Sequence, residues 1–363
     1  MQKASPAGRF GIVGGAAVPH APQFFSLPDT EDHDQVERVR VAMARLGADL
    51  LALEPDIIVI ASNDHLENFF LHCVPSFTVH CGASVAGSFA GRDFEFPVAS
   101  DMALDLVSRL QAVGFDPAFS HTAAIGYEFG IPLTFCEIGT SIPIVPIYVN
   151  AYVAPQPSSE RCYSLGRALH RALAAAGVRA VMMASGGLSH YPGTDRYSHP
   201  DLTTDGDVLT RMRAGNLRSL ITFDDAALDR TGNVEARSWQ ILAGALGERV
   251  PNHFTQESSW HHDYAVLGWT TGEQAAAEEL HYPPVVAERL ALSSALYRLR
   301  MEAPVRRRFL DDPAAFVEEL GLDADERAAL EALDEPQLQK LGVHPLLAFL
   351  ARLQVDIERR ARA

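Results

Sequence analysis

The chain contains 363 residues, of which 47% are hydrophobic and 21% charged, enough for one large α/β domain with a small appendage or for two ordinary domains. Its 30 Lys and Arg residues against 46 Asp and Glu residues give a net charge of −16, which disfavours a nucleic-acid or membrane partner because both require a basic surface. No apolar run reaches the roughly 18–20 residues that span a bilayer. The four cysteines form no CxxC pair, and the apolar run GIVGGAAV near the N-terminus fits a first strand better than a signal peptide. We therefore expect a cytoplasmic protein.

Apolar, strand-like runs alternate with amphipathic helical segments through the first 284 residues. The predicted strands are 10–18, 56–61, 142–149, 178–184 and 264–269, and the predicted helices are 34–53, 101–113 and 159–176. This alternation predicts an α/β fold with a mostly parallel or mixed central sheet flanked by helices. In sheets of this kind, reactive groups collect just beyond the carboxyl ends of the strands.

The last segment, residues 285–363, is predicted to be a small all-helical C-terminal domain that follows a linker at Tyr282-Pro283-Pro284. Its helix start and stop signals are Asp312-Pro313, Gly321, a capping box of Asp323 with Glu326, Asp334 with Pro336, and Gly342. So short a segment is expected to have little core of its own. Its apolar side chains should then pack against another surface; they include Leu296, Leu299, Phe309, Phe316, Leu346, Leu347 and Leu350.

Histidines follow two of the predicted strands. His20 lies in VPHAP after the first strand and His65 in SNDH after the second, but their spacing matches no zinc signature, so spacing alone does not define a metal site. Glu235 is the first residue of a predicted helix at 235–246. Its carboxylate either interacts favourably with the helix dipole or binds a metal. Two histidines and one carboxylate form the facial triad of non-heme Fe(II) oxygenases, and iron suits O2 chemistry because zinc is redox-inert.

A glycine-rich segment, Ser185-Gly186-Gly187-Leu188-Ser189-His190, follows another predicted strand. It lacks the Lys-Ser/Thr of a P-loop, the GxGxxG of a dinucleotide site and the last glycine of a GxSxG elbow. The runs IIVIASNDH and VMMASGGLSH each lead from an apolar strand to a histidine. This partial similarity between the two segments predicts that His65 and His190 share one site.

The motifs occur in a fixed order: strand-Pro-His, Asn-Asp-His, GGLSH and Gly-x-x-Glu-x-x-x-Trp at 232–239. In that order, over residues 10–275, the chain resembles the class III extradiol ring-cleaving dioxygenases, the superfamily of protocatechuate 4,5-dioxygenase catalytic subunits. The tail resembles the small helical subunit of protocatechuate 4,5-dioxygenase, through Phe309, Asp312-Pro313, ELGL at 319–322 and LGVHP at 341–345. The resemblance implies a catalytic domain at 1–284 and a helical lid domain at 285–363, fused as in gallate dioxygenases of this superfamily.

Carried over residue by residue, the resemblance implies that His20, His65 and Glu235 bind Fe(II) and that His190 is an acid–base histidine. A second active-site histidine of the family usually stands in an Asp-His-Gly run before Pro-Leu, and here Tyr127 takes its place. Tyrosine can hydrogen-bond a substrate, but its unperturbed pKa of about 10 makes it a poorer proton shuttle at neutral pH. Alternatively, His121 reaches the site from the same loop.

The resemblance implies that O2 and a small aromatic substrate of the protocatechuate, gallate or substituted-catechol type react at this site. It further implies that the helical domain excludes water as a lid. We expect a homo-oligomer, a dimer, in which the lid covers its own or a neighbouring active site. Three alternatives stay open: a related dioxygenase that opens an aminophenol or a heterocyclic diol, a metal-dependent hydrolase with the same residues, and a non-catalytic binding relative.

Overall fold

The structure, a computed structural model of the chain, describes residues 10–274, 282 and 285–362. The chain divides into two units, Met1–Ala275 and Ala276–Ala363. Of the predicted linker Tyr282-Pro283-Pro284, the two prolines lie outside the described residues. The predicted domain boundary at residue 284 therefore stays a prediction.

A mixed sheet of eight strands forms the centre of the first unit, and two further strands, β4 and β5, form a separate hairpin. The strands are β1 (Gly11–Val18), β2 (Ile57–Asn63), β3 (Phe77–His80), β4 (Ser84–Phe89), β5 (Arg92–Pro97), β6 (Ala118–Ser120), β7 (Ile144–Val149), β8 (Arg179–Ser185), β9 (His253–Ser258) and β10 (Asp263–Trp269). The order across the large sheet is β6-β3-β7-β2-β8-β1-β10-β9. The predicted α/β fold with a mixed sheet is confirmed.

Strand direction decides which residues meet at the edge of the sheet. The four central strands β7, β2, β8 and β1 are parallel to one another, whereas β10 is antiparallel to β1. The carboxyl ends of the four parallel strands therefore lie at one edge, and β10 begins at that same edge. The loops that follow β1, β2, β7 and β8 and the turn that precedes β10 converge there.

The central strands are apolar over most of their length because both faces of the sheet are covered. In β2, Ile57, Val59 and Ala61 belong to one hydrophobic cluster, while Ile58 and Ile60 belong to another. Burial of side chains of this size contributes about 1.5–3 kcal/mol each. The alternation along a single strand shows that the two clusters occupy opposite faces of the sheet.

Eight α-helices lie in the described part of the first unit. They are α1 (Gln23–Ser26), α2 (His33–Leu51), α3 (Ser100–Gln111), α4 (Tyr127–Phe135), α5 (Ser159–Ala175), α6 (Leu202–Arg213), α7 (Asp225–Thr231) and α8 (Ala236–Leu246). Helices α5 and α8 approach closely because Gly166 of α5 lies against the backbone of Ile241 in α8, and Gly244 of α8 lies against the backbone of Tyr163 in α5. A Cβ on Gly166 would lie 1.8 Å from the carbonyl oxygen of Ile241. This close packing fixes α8 and hence Glu235, which immediately precedes it.

The second unit contains α9 (Leu290–Met301), α10 (Ala303–Asp311), α11 (Pro313–Glu318), α12 (Ala324–Ala332), α13 (Glu335–Lys340) and α14 (Pro345–Arg362). Asp312, Asp323 and Asp334 cap helices as predicted, and Asp323 with Glu326 forms the capping box. Gly321 and Gly342 have positive φ, which suits a helix stop.

The expectation that the helical unit has little core of its own was wrong. Leu296, Leu299, Phe309 and Phe316 are buried in a hydrophobic cluster made entirely of residues from this unit. Several short helices share this cluster, so each buries one side without needing a partner outside the unit. Leu346, by contrast, is exposed.

In the parts of the chain that the structure describes, no helix is both long enough and apolar enough to cross a membrane.

Candidate metal centre

His20, His65 and Glu235 come together at the converging edge of the sheet. His20 follows β1, His65 follows β2, and Glu235 is the N-cap residue of α8. Each offers one ligand atom, and these atoms all lie within 4.8 Å of one another. Among the described residues this is the one cluster of three or more His, Cys, Asp or Glu side chains with such spacing.

The carboxylate of Glu235 is the centre of the cluster and is fully buried. Its Oε2 lies 3.3 Å from Nε2 of His20, and its Oε1 lies 3.1 Å from Nε2 of His65. The backbone N–H of Gly187 donates to Oε2 at 2.6 Å, and the hydroxyl of Tyr152 donates to Oε1 at 2.6 Å. Glu235 is thus held in one orientation from two sides.

The hydrogen bonds of His20 determine which of its ring nitrogens faces the cluster. The hydroxyl of Ser185 donates to the carbonyl oxygen of Glu128 at 2.6 Å, and Nδ1 of His20 lies 2.9 Å from the same hydroxyl oxygen. Because the hydroxyl proton is already used, Nδ1 carries the proton and donates it to Ser185. Nε2 is then the ring nitrogen that faces the cluster and is available to a metal.

His65 faces a second buried carboxylate. Its Nδ1 lies 3.9 Å from Oε2 of Glu128, whose Oε1 accepts the backbone N–H of Gly126 at 2.9 Å. Burial by itself would lower the pKa of His65, but Glu128 and Glu235 outweigh burial and raise this pKa from 6.5 to about 10. A carboxylate behind a ligating histidine orients the ring and increases its basicity.

The donor set fits a divalent metal. Two imidazole Nε2 atoms and one carboxylate oxygen are ligands for both iron and zinc. Burial would raise the pKa of Glu235, but His20 and His190 together hold it well below its usual range. The carboxylate is therefore ionised and ready to bind a cation.

His190 adjoins the cluster without belonging to it. It follows β8, and its Nδ1 lies 2.9 Å from the carbonyl oxygen of Leu188, so Nδ1 carries a proton. Its Nε2 lies 3.3 Å from the hydroxyl of Tyr152 and 3.6 Å from Oε1 of Glu235. Burial lowers the pKa of His190, but the charge of Glu235 more than compensates and raises it above 6.5. Nε2 is the nitrogen that can gain and lose a proton inside the site.

The structure brings Tyr127 to the cluster but not His121. The Tyr127 ring stacks on His65 with a centroid distance of 5.0 Å and meets His20 edge-on at 5.9 Å. Burial and the charges of Glu235 and Glu128 raise the pKa of Tyr127 above its ordinary value of 10, so the phenol stays protonated. His121 is exposed after β6, where its Nδ1 contacts the carbonyl oxygen of Cys81 at 3.1 Å.

A cavity of about 130 Å³ opens onto the cluster. Besides the predicted residues His20, His65, Tyr127 and His190, its lining is rich in aromatic and imidazole rings; the further lining residues are Ala21, Pro22, Gln23, Tyr152, Pro192, Tyr197, His261 and His262. Larger grooves of about 780 Å³ between α2 and β9 and about 500 Å³ between α3 and α5 contain no such ligand set among the described residues. Side-chain chemistry rather than volume locates the site.

Tyr152, His261 and His262 are among the lining residues that were not identified from the sequence. Tyr152 follows β7, one of the parallel strands, so the expectation that reactive groups lie just beyond the carboxyl ends of such strands could have identified it. His261 and His262 precede the antiparallel strand β10, and that expectation does not apply to them. Only the pairing of β10 with β1 brings them beside His20.

Comparison with known proteins identifies the family of the first unit. The family model described as the catalytic LigB subunit of aromatic ring-opening dioxygenase matches residues 14–268. A 2,3-dihydroxyphenylpropionate/2,3-dihydroxicinnamic acid 1,2-dioxygenase of Klebsiella pneumoniae subsp. pneumoniae is 31% identical over 178 residues, which are 49% of this chain and 56% of that protein. A protein of the same name from Cupriavidus necator is 30% identical over 168 residues, 46% of this chain and 52% of that protein.

The aligned region thus spans about half the length of these curated relatives. The crystal structure of the uncharacterized protein JW3007 from Escherichia coli K12 superposes with a TM-score of 0.48 and 14% identity, covering 70% of this chain and 98% of that one. The family match, by contrast, covers most of the chain and includes His20, His65, His190 and Glu235. The chain belongs to the family of catalytic LigB subunits of aromatic ring-opening dioxygenases.

Proposed function

We propose that the chain is a non-heme Fe(II)-dependent extradiol dioxygenase, which opens the ring of a catecholic substrate with both atoms of O2. The observation that carries the proposal is the meeting of His20, His65 and Glu235 beside Nε2 of His190, a nitrogen that can gain and lose a proton. Three protein ligands leave positions free for the substrate oxygens and for O2. Fe(II) at this site would supply Lewis acidity and, in addition, the redox chemistry that O2 requires, which zinc does not provide.

His190 is the proposed general base. A substrate hydroxyl at the cluster lies within reach of Nε2 of His190, because this nitrogen already lies 3.6 Å from Oε1 of Glu235. Nε2 accepts the hydroxyl proton and later returns it to the product, while the bond from Nδ1 to Leu188 keeps the ring in place. Positioned groups of this type contribute about 10²–10⁴-fold to the rate.

Tyr127 and Tyr152 are proposed to orient the substrate. Burial and the charge of Glu235 raise the pKa of both phenols, so both remain hydrogen-bond donors at neutral pH. Tyr152 donates to Glu235 and contacts His190, so it links the ligand set to the base. Tyr127 covers the face of His65. Together they keep water away from the reacting atoms and favour a flat ring.

The substrate class follows from the size of the site and from its relatives. A cavity of about 130 Å³ is smaller than the roughly 300–1,000 Å³ of drug-sized pockets, so a single substituted ring fits best. The named relatives act on 2,3-dihydroxyphenylpropionate, itself a substituted catechol. We assign a catechol of the protocatechuate, gallate or substituted type, with aminophenols and heterocyclic diols as the second class to test.

The helical unit, residues 285–363, is proposed to serve as a lid over the site of its own or a neighbouring chain in a dimer. Support comes from α14, which carries Leu346, Phe349, Leu353 and Ile357 as exposed residues at helical spacing. Such a stripe is typical of a helix that packs against a further surface.

The experiment is anaerobic reconstitution of the full chain with Fe(II), followed by an oxygen-electrode screen of catechols, gallates and aminophenols. We expect O2 uptake with at least one catechol, none with Zn(II) in place of Fe(II), and loss of uptake in Glu235→Ala. The exposed His199→Ala serves as the matched control and should retain the activity. Zn(II)-supported hydrolysis without O2 uptake would indicate a metal-dependent hydrolase, and metal binding without any turnover would indicate a binding protein.

A further inference from the structure

Tyr197 forms part of the cavity wall and packs against a buried support. Its ring stacks on His261 with a centroid distance of 5.1 Å and an interplanar angle of 25°, and it meets Trp260 edge-on at 5.5 Å. Nε2 of His261 lies 3.2 Å from Oε1 of Glu31, and the indole N–H of Trp260 donates to the same oxygen at 3.2 Å. Because His261 and Glu31 are both buried, the Tyr197 ring is held against a rigid surface.

The loop that carries Tyr197, between β8 and α6, is anchored as well. The guanidinium of Arg196 lies over the Tyr191 ring, 4.0 Å from its centroid, and donates to the carbonyl oxygen of Arg230 at 2.8 Å. The backbone N–H of Tyr197 itself donates to the carbonyl oxygen of Thr194 at 3.3 Å. Both the ring and the backbone of Tyr197 are therefore fixed, so its hydroxyl keeps one position at the cavity.

The Tyr197 hydroxyl is a hydrogen-bond donor that the protein leaves unused. Its oxygen accepts the side-chain N–H of Gln23 at 3.3 Å, and burial raises the pKa of Tyr197 above its ordinary value of 10, so the phenol keeps its proton. No described residue accepts a hydrogen bond from this hydroxyl. Gln23 lines the same cavity and Tyr197 is only half-buried, so the hydroxyl end of the ring is accessible to a molecule in the cavity.

The position of Tyr197 relative to the metal ligands indicates which part of a substrate it meets. The rings of Tyr127 and Tyr152 lie beside that of His65, with centroid distances of 5.0 and 5.5 Å, whereas Tyr197 has no ring contact with a metal ligand among the described residues. The two oxygens that chelate a metal must lie at the ligands themselves. In a cavity of about 130 Å³, a further substituent of the ring then lies near the half-buried wall to which Tyr197 and Gln23 belong.

We propose that Tyr197 is a specificity-determining residue, whose hydroxyl donates a hydrogen bond to an acceptor oxygen of the aromatic substrate outside the two chelating oxygens. This inference rests on the proposed function. The substrate class narrows to catechols that carry an acceptor group on the ring, such as an ether, a carbonyl or a carboxylate, in preference to alkyl catechols of the same size. The preference arises because only the first class gives the hydroxyl a partner within the substrate.

The test compares ligands that differ by one oxygen atom, on the Fe(II)-loaded full chain without O2. The pairs are 3-methoxycatechol with 3-ethylcatechol, and 4-methoxycatechol with 4-ethylcatechol, titrated calorimetrically. We expect the wild type to bind the methoxy member of at least one pair roughly 2- to 12-fold more tightly than Tyr197→Phe does, relative to its ethyl partner, which is the net contribution of one hydrogen bond. Tyr197→Phe keeps the ring that stacks on His261, and intrinsic differences between the two ligands cancel in this comparison.

The control is Tyr191→Phe, which removes a phenolic hydroxyl from the same loop, where it donates to the carbonyl oxygen of Arg230 at 3.0 Å rather than lining the cavity. It should keep the wild-type preference. An undiminished preference in Tyr197→Phe for both pairs, or an equal loss in Tyr191→Phe, would overturn the inference. Because the titration needs no turnover, a failure to cleave any catechol in O2 counts against the proposed function alone. Iron content and circular dichroism verify that each variant is folded.

Discussion

Asp205 should make the stability of the first unit depend on pH, and asparagine at this position should remove that dependence. Asp205 is fully buried in α6, and its carboxylate accepts the backbone N–H of Ser189 at 3.0 Å, the hydroxyl of Ser189 at 2.5 Å and the side-chain amide of Asn233 at 3.1 Å. It thereby fixes the residue next to His190. Burial outweighs these bonds and raises the pKa of Asp205 from 3.8 to about 7.

The folded state therefore holds this proton more tightly than the unfolded state. The resulting stability is fully present below pH 4, near the pKa of an unfolded aspartate, and is lost as the pH rises through about 7. The difference between pKa values of 3.8 and about 7 corresponds to ~4 kcal/mol. Asparagine has the same shape but no titrating proton. The free energy of unfolding of the wild type, minus that of Asp205→Asn, should fall by up to ~4 kcal/mol between pH 4 and pH 8.

The assay is urea unfolding of the metal-free chain across this pH range, followed by tryptophan fluorescence. The three tryptophans, Trp239, Trp260 and Trp269, all lie in the first unit, so fluorescence reports the unfolding of that unit. Asp201→Asn is the matched control, since Asp201 caps the same helix by accepting the N–H of Thr204 and asparagine caps a helix equally well. Parallel pH profiles of wild type and Asp205→Asn, or the same change in Asp201→Asn, would refute the reasoning.

Four further predictions concern the site and the helical unit. Glu235→Ala should lose bound iron, because it removes the central carboxylate; iron analysis after desalting checks this, and wild-type occupancy would contradict it. His190→Phe should keep its iron but lose about 10²–10⁴-fold in kcat, and an unchanged kcat would remove His190 from the mechanism. Tyr127→His should change the ranking of substrates by kcat/KM more than the iron content, and the reverse pattern would place Tyr127 outside the substrate site. Truncation after Pro284 should leave an iron-binding remnant with a higher KM and faster inactivation in air; unchanged kinetics with an altered oligomeric state would favour an interface role.

The strand ends were predictable because they depend on a local signal. Runs such as residues 57–61 are apolar throughout since both faces of the sheet are covered, and the histidines that follow them must reach the same edge when the strands are parallel. All five predicted strands are confirmed to within two residues. The same rule brought His20, His65 and His190 together without knowledge of the tertiary structure.

The short and outer strands lack that signal. Strands β3 and β6 contain four and three residues, too few for a periodic pattern to stand out. Strand β9 alternates between half-buried and exposed residues and carries mostly polar side chains, so its sequence does not stand out as a strand. Without β9 and its turn into β10, nothing in the sequence places His262 next to His190.

The contacts that orient the ligands were also beyond local reasoning. Glu128 is 63 residues from His65 along the chain, yet its Oε2 faces Nδ1 of that histidine at 3.9 Å. The choice between Tyr127 and His121 depended on where one loop enters the site, and the backbone of α4 carries Tyr127 to the cluster while His121 stays outside it. Such pairings result from the assembled sheet rather than from any motif.

The central claim is that one iron at His20, His65 and Glu235 supports ring opening by O2. The most direct measurement titrates the metal-free full chain with Fe(II) under anaerobic conditions and then records O2 uptake and ring-opened product together for the best catechol of the screen. The account predicts that activity saturates at one Fe(II) per chain and that each O2 consumed yields one opened ring. Ring opening without O2 uptake, activity independent of Fe(II), or the same titration curve in His20→Ala would contradict it.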